Sequence, residues 1–208
     1  IQTKKKLSAM SNIHPKNTIL LDVDGVLLDW DTEFSAWMAK LGFVPAMENH
    51  EEEYSIGKRY NIQDDQAFRL VQMFNESARI GFLGPLRDAP FYVKKLYQEH
   101  NYNLFCITSL SNDQYAVALR EYNLRQVFGT GAFKKITCLP TGGDKRETLN
   151  SYSGSGCYWI EDKPKNAEIG KSLGLRSLLM DQKHNSKYEN SGIPRVKTWR
   201  EIYEIITS

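Results

Sequence analysis

The stretch Thr18-Ile19-Leu20-Leu21-Asp22-Val23-Asp24-Gly25-Val26-Leu27 runs from unbroken apolar residues into two carboxylates one residue apart. An apolar run without alternation suits a strand buried on both faces of a parallel sheet. Ending such a run in Asp22 places a carboxylate at the carboxyl end of the strand, where ligands gather in open α/β sheets. Gly25 gives the backbone freedom to turn and to bring Asp22 and Asp24 to one point.

Working outward, short apolar runs recur at Leu104–Thr108, Lys135–Cys138, Cys157–Ile160 and Ser177–Met180. Stretches of helical character separate them, at Ala89–Glu99, Asp113–Tyr122, Lys145–Ser151 and Ala167–Leu173, and Trp199–Ile206 closes the chain. The alternation predicts an α/β fold: a Rossmann-like open parallel sheet with helices on both faces and right-handed crossovers. The interval from about 31 to 84 breaks this rhythm. Glu33–Leu41 carries Phe34, Trp37, Met38 and Leu41 at helical spacing, and Asp65–Ile80 carries Phe68, Val71, Gln72 and Phe74. Gly84-Pro85 then marks a turn. The expected organisation is a catalytic core of residues 17–30 and 85–208, a small helical cap at 31–84 inserted after the first strand, and a flexible N-terminal arm at 1–16.

Composition excludes several classes. The 208 residues are 41% hydrophobic and 25% charged, as in ordinary globular proteins. A net charge of +2 argues neither for nucleic acid nor for a membrane surface as partner. The short run Lys4-Lys5-Lys6 reads as a solvated tail. Three cysteines, Cys106, Cys138 and Cys157, form no CxxC pair, so neither a disulfide framework nor a zinc site is expected, and a reducing cytoplasm is the natural setting. No apolar stretch is long enough to span a bilayer. Oligomeric state stays open, a homodimer included.

Further candidates fall where the first pair falls. Thr108 ends the second apolar run, Lys145 begins a helix, and Glu161-Asp162 ends another strand. A phosphate monoester is a doubly charged electrophile that a carboxylate cannot approach unaided. A magnesium ion held by Asp22, Asp24 and Asp162, one contact coming from a backbone carbonyl, would offset that repulsion. Asp22 could then attack phosphorus to form an aspartyl-phosphate. Asp24 would protonate the leaving oxygen and later deprotonate the attacking water. Thr108, Ser109 and Lys145 would hold the non-bridging phosphate oxygens.

Together these residues resemble the motifs of the haloacid dehalogenase-like superfamily. Leu20–Leu27 is similar to the first, Ile107-Thr108-Ser109 to the second, Lys145 to the third and Trp159-Ile160-Glu161-Asp162 to the fourth. A narrower resemblance, to the 5′(3′)-deoxyribonucleotidases, rests on Asp22–Leu28, on Gly81-Phe82-Leu83, on Thr108-Ser109 with Asp144-Lys145, and on the tail His184-Asn185 and Arg195–Ile202. It implies a nucleoside monophosphate as small-molecule substrate. It also implies that Phe82 and an earlier aromatic, Phe34 or Trp37, sandwich the nucleobase. His184-Asn185 is read as a turn that anchors the tail.

Two departures from that family stand out. Its members commonly carry a lysine shortly after the Thr-Ser, where this chain has Asn112, and some carry a basic residue before the Asp-Lys, where it has Gly143. Competing readings are a phosphatase for another small phosphomonoester or for nucleic-acid 3′-phosphate ends, and a catalytically silent binding module with the same fold.

Overall fold

The computed structural model describes residues 17–189 and 192–208, so the expected arm at 1–16 lies outside the described residues. Six strands form one sheet: β1 (Thr18–Leu21), β2 (Asn103–Ser109), β3 (Phe133–Leu139), β4 (Tyr158–Glu161), β5 (Arg176–Met180) and β6 (Arg195–Val196). Their order is β3-β2-β1-β4-β5-β6, and every pairing is parallel. Leu21 of β1 is in register with Cys106 of β2 on one side and Ile160 of β4 on the other.

Alternation of side chains explains why these strands are apolar throughout. Ile19 and Leu21 of β1, with Leu104 and Cys106 of β2, point into one buried cluster. Leu20, Phe105 and Ile107 point into a second cluster around Trp159. A sheet covered on both faces cannot tolerate a polar stripe. The covering helices of the core are α4 (Ala89–Gln98), α5 (Gln114–Phe128), α6 (Arg146–Asn150), α7 (Pro164–Ser172) and α8 (Trp199–Thr207), in a numbering that leaves α1–α3 to the segment between β1 and β2. Strand order reverses between β1 and β4, which opens a crevice at their carboxyl ends. Asp22 and Asp162 follow those two strands.

Between β1 and β2 lie α1 (Trp30–Lys40), α2 (Ile56–Tyr60) and α3 (Asp64–Asn75), with 3-10 turns at His50–Glu52 and Ala78–Gly81. The helix expected over Asp65–Ile80 therefore stops at Asn75. Ser77 is the cause: its hydroxyl donates to the Phe74 carbonyl at 2.7 Å and accepts from the Arg79 amide at 3.3 Å. A serine bonding its neighbouring backbone in this way competes with the helix ladder. The short β6 was not expected, because two residues carry no periodic signal.

The tail beyond β6 is tied to the first motif. The Trp199 indole N–H donates to the Val26 carbonyl at 2.8 Å, and the Asp88 carboxylate caps α8 by accepting from the Trp199 and Arg200 amides at 3.0 Å each. Among the described residues no helix is long and apolar enough to cross a membrane.

Candidate active site

Asp22 lies at the crevice with its amide donating to the Ile160 carbonyl at 2.9 Å, an extension of the β1–β4 ladder. Its Oδ1 accepts from the Val23 amide and from the Lys145 ammonium, both at 2.7 Å. Lys145, at the start of α6, also donates to Glu161 Oε2 at 2.8 Å. Glu161 is fully buried, and its Oε1 accepts from the Asp162 and Lys163 amides at 3.2 and 3.0 Å.

Oxygen atoms of Asp22, Glu161 and Asp162 lie within 4.8 Å of one another. Three carboxylates against one ammonium leave this buried point short of positive charge. Burial, and then the Glu161 charge, push the Asp22 carboxyl well above the usual range; burial and the Asp22 charge push Asp162 up to about 7. Burial works against the charged form of Lys145, but Asp22 and Glu161 outweigh it and hold the ammonium above its ordinary value. The donor set is hard oxygen, which suits magnesium. Because Glu161 is committed to Lys145 and two amides, Asp22 and Asp162 are the carboxylates left to hold a cation.

Gly25 is what lets these two loops meet. Its φ is +76°, and a Cβ there would stand 2.1 Å from Asp162 Oδ2. Both the left-handed backbone and the close approach exclude a side chain. The Gln182 side chain then holds the Gly25 carbonyl at 2.6 Å, while Asn185 donates to the Asp162 carbonyl at 2.7 Å and the Met180 carbonyl at 2.8 Å. Arg195 completes the support by donating to Asn185 Oδ1 at 2.6 Å and Asp181 Oδ1 at 2.5 Å. His184 also reaches the site, with Nε2 3.4 Å from Asp162 Oδ2. Within the expected His184-Asn185 turn, then, Asn185 forms the anchor and His184 lines the cleft.

The remaining predicted residues divide. Thr108 is buried, and its hydroxyl has no hydrogen-bond partner among the described residues although it lines the cleft. An unsatisfied buried hydroxyl costs about 1–3 kcal/mol, a cost that a ligand oxygen in the cleft would relieve. Ser109 faces the same cleft but spends its proton on the Gly143 carbonyl at 2.8 Å, holding the turn before Lys145. A Cβ on Gly143 would stand 2.9 Å from the Pro140 carbonyl oxygen, so any side chain there would force that turn to shift. The Asp24 carboxylate stands apart from the acidic trio: Arg120 donates to both its oxygens, at 2.6 and 3.0 Å. Arg120 thus offsets the charge of this carboxylate, which makes the backbone carbonyl the Asp24 oxygen better suited to a cation.

The expected base-binding aromatics lie away from the cleft. None of Phe34, Trp37 and Phe82 lines the cleft, which encloses about 850 Å³ between the core loops and the inserted helices. Phe34 is fully buried, stacked on Trp30 at 4.5 Å and edge-on to Phe74 at 5.4 Å. Trp37 packs against Phe34 and Phe74. Phe82 is 69% exposed and meets Tyr122 on the outer surface. Helical spacing of aromatics marked the face that α1 buries, not the face it turns to a ligand. Trp30, Tyr54 and Phe68 line the cleft instead. Tyr54 carries the Lys163 ammonium 4.7 Å above its ring and meets the His184 ring at 5.4 Å.

Sequence reading missed Arg120, Gln182, Tyr54 and the supporting role of Asn185 and Arg195. Arg120 alone left a trace. It interrupts the buried series Ala116, Leu124 and Phe128 on α5 with a charge.

No protein-family model matches the chain. It is 31% identical over 198 residues to an uncharacterised 32.4 kDa protein from the Gp30–rIII intergenic region of Enterobacteria phage T4, covering 90% of this chain and 68% of that protein. The chain belongs to that protein's family. Solved structures share its fold at much lower identity. A haloacid dehalogenase-like hydrolase from Streptococcus pneumoniae has a TM-score of 0.64 at 13% identity, covering 91% of this chain and 97% of its own. A magnesium-bound structure of the HAD-type protein YfnB from Bacillus subtilis has 0.58 at 16%, covering 92% and 99%. CbbY from Rhodobacter sphaeroides, solved with xylulose-1,5-bisphosphate, has 0.56 at 16%, covering 89% and 95%. These likenesses establish the haloacid dehalogenase-like fold of this family member.

Proposed function

We propose that this protein is a magnesium-dependent phosphomonoester hydrolase that acts on nucleoside monophosphates through an aspartyl-phosphate on Asp22. The observation that carries the reading is the Lys145 ammonium bridging Asp22 and Glu161, with the unpartnered Thr108 hydroxyl in the same cleft. A nucleophile held at one oxygen by Lys145 and the Val23 amide keeps a fixed direction of attack.

In the proposed reaction Thr108 and Lys145 hold the non-bridging phosphate oxygens. The Asp22 carboxylate bonds to phosphorus, the ester P–O bond breaks, and the leaving oxygen takes a proton from Asp24. Water then attacks phosphorus, the Asp22–phosphorus bond breaks, and the water proton passes to Asp24. A magnesium ion held by Asp22, Asp162 and a backbone carbonyl would neutralise charge on the phosphate. For the base, Tyr54 and Phe68 are the cleft aromatics able to stack on a flat ring, an interaction worth ~1–3 kcal/mol in single-strand binders.

The test is phosphate release from ribo- and deoxyribonucleoside 5′- and 3′-monophosphates beside sugar phosphates, with and without magnesium. Turnover of nucleotides that disappears in Asp22→Asn is expected. Activity surviving that substitution would contradict the nucleophile assignment. A second reading, another small phosphomonoester as substrate, is favoured by the placement of Phe34, Trp37 and Phe82 outside the cleft. Clear preference for a sugar phosphate over every nucleotide would decide for it.

A further inference from the structure

Arg120 is the one fully buried arginine whose hydrogen bonds, among the described residues, all go to a single carboxylate. Two other arginines show what a structural role looks like here. Arg59 bonds the Glu53 carbonyl twice besides Asp31, and Arg195 bonds the Asn185 and Tyr188 carbonyls besides its side-chain partners. Among the described residues Arg120 bonds no carbonyl, and its Nε has no partner. Leaving a buried N–H unsatisfied is unfavourable by about 1–3 kcal/mol, so the side chain is arranged for its two Nη contacts and not for a saturated network. It does not line the cleft, whereas Asp24 does.

The helix that carries Arg120 is itself fixed. Three residues on, Asn123 donates to the Leu83 carbonyl at 3.0 Å and accepts from the Leu83 amide at 3.2 Å. One residue earlier, Leu119 packs so closely on Gly81 that a Cβ there would stand 3.0 Å from it. The guanidinium therefore projects from a rigid base. A planar two-point contact with a carboxylate sets both distance and plane, which a single ammonium contact cannot do.

We propose that Arg120 is a positioning residue for Asp24: it fixes the direction of that carboxylate, so that proton transfer at the leaving oxygen depends on Arg120 while phosphate binding does not. The proposal rests on the reading of Asp24 as the acid/base group. It implies that losing Arg120 harms substrates whose leaving oxygen must be protonated and spares those whose leaving group departs as a stable anion.

The experiment compares Arg120→Met and Arg120→Lys with the unaltered protein on a nucleoside 5′-monophosphate and on p-nitrophenyl phosphate in magnesium. Arg120→Met is expected to lower kcat on the nucleotide about 100-fold, the low end of what general acid–base catalysis contributes, with KM unchanged. The first release of p-nitrophenolate should change little. In an Asp24→Asn background the same substitution should have no further effect, because residues that act as one unit are not additive. If Arg120→Met does not fold, Arg120→Lys carries the test, with a partial loss that discriminates between substrates in the same way. Equal losses on both substrates, a raised KM, an undiminished effect in the Asp24→Asn background, or no loss would each overturn the proposal. So would a crystal structure of Arg120→Lys in which Asp24 keeps its direction, a readout independent of turnover. Failure of the underlying phosphatase reading would show separately, as turnover that is absent in the unaltered protein or survives Asp22→Asn.

Discussion

Lys145 stands between Asp22 and Glu161, its ammonium 2.7 Å from one carboxylate and 2.8 Å from the other, and all three side chains are buried. The arrangement orients Asp22 and also makes its surroundings tolerable, since no other cation contacts those two carboxylates among the described residues. Removing one partner from such a group leaves an uncompensated charge. Lys145→Met is therefore expected to destabilise the fold by about 3–5 kcal/mol. Urea unfolding at neutral pH, with and without magnesium, measures this. Part of the lost stability should return with the ion.

Without metal, stability should fall with rising pH. Burial and the Asp22 charge raise the Asp162 carboxyl from 3.8 to about 7 in the fold. A carboxyl with a raised folded-state pKa binds its proton more tightly when folded. Its contribution is complete below pH ~4 in the unfolded-state range and is lost as pH rises through about 7. Thermal melting of metal-free protein across this window should show the decline. Magnesium should oppose it, and Asp162→Asn should flatten it.

Gly25→Ala should damage metal binding more than its small volume suggests. The new Cβ would collide with Asp162 Oδ2, and the backbone at φ +76° is unfavourable for alanine. Calorimetric titration with magnesium is expected to show a tenfold or greater loss of affinity, on the order of that found when groups supporting metal ligands are removed. Unaltered affinity would mean the two loops can separate freely.

Phe34→Ala and Phe68→Ala should behave oppositely. Phe34 is enclosed by Trp30, Trp37 and Phe74, so its truncation is expected to cost about 3–5 kcal/mol in stability. Phe68 is half-exposed at the cleft, so its truncation should raise KM for nucleotides and leave the melting temperature nearly unchanged. Steady-state kinetics beside a melting curve separates the two.

The sequence alone determined the sheet and which carboxylates stand at its edge. Strands buried on both faces must be continuously apolar, so Leu20–Leu21 and Ile107 announced themselves, and a carboxylate ending such a run has few places to be but the crevice. What the sequence could not give was direction. The same 3.6-residue spacing that correctly marked α1 as a helix could not say that Phe34 and Trp37 pack inward, because packing and ligand binding use identical residues. Arg120 lies 96 residues from Asp24, and Gln182 lies 157 from Gly25; no local pattern encodes a hydrogen bond across that distance. Asp22, Asp24 and Asp162 were therefore legible as carboxylates of one crevice. Only tertiary structure decided that Lys145 and Glu161 brace the first, Arg120 the second and Asn185 the third, because their contacts exist only once the sheet brings separate loops to one edge.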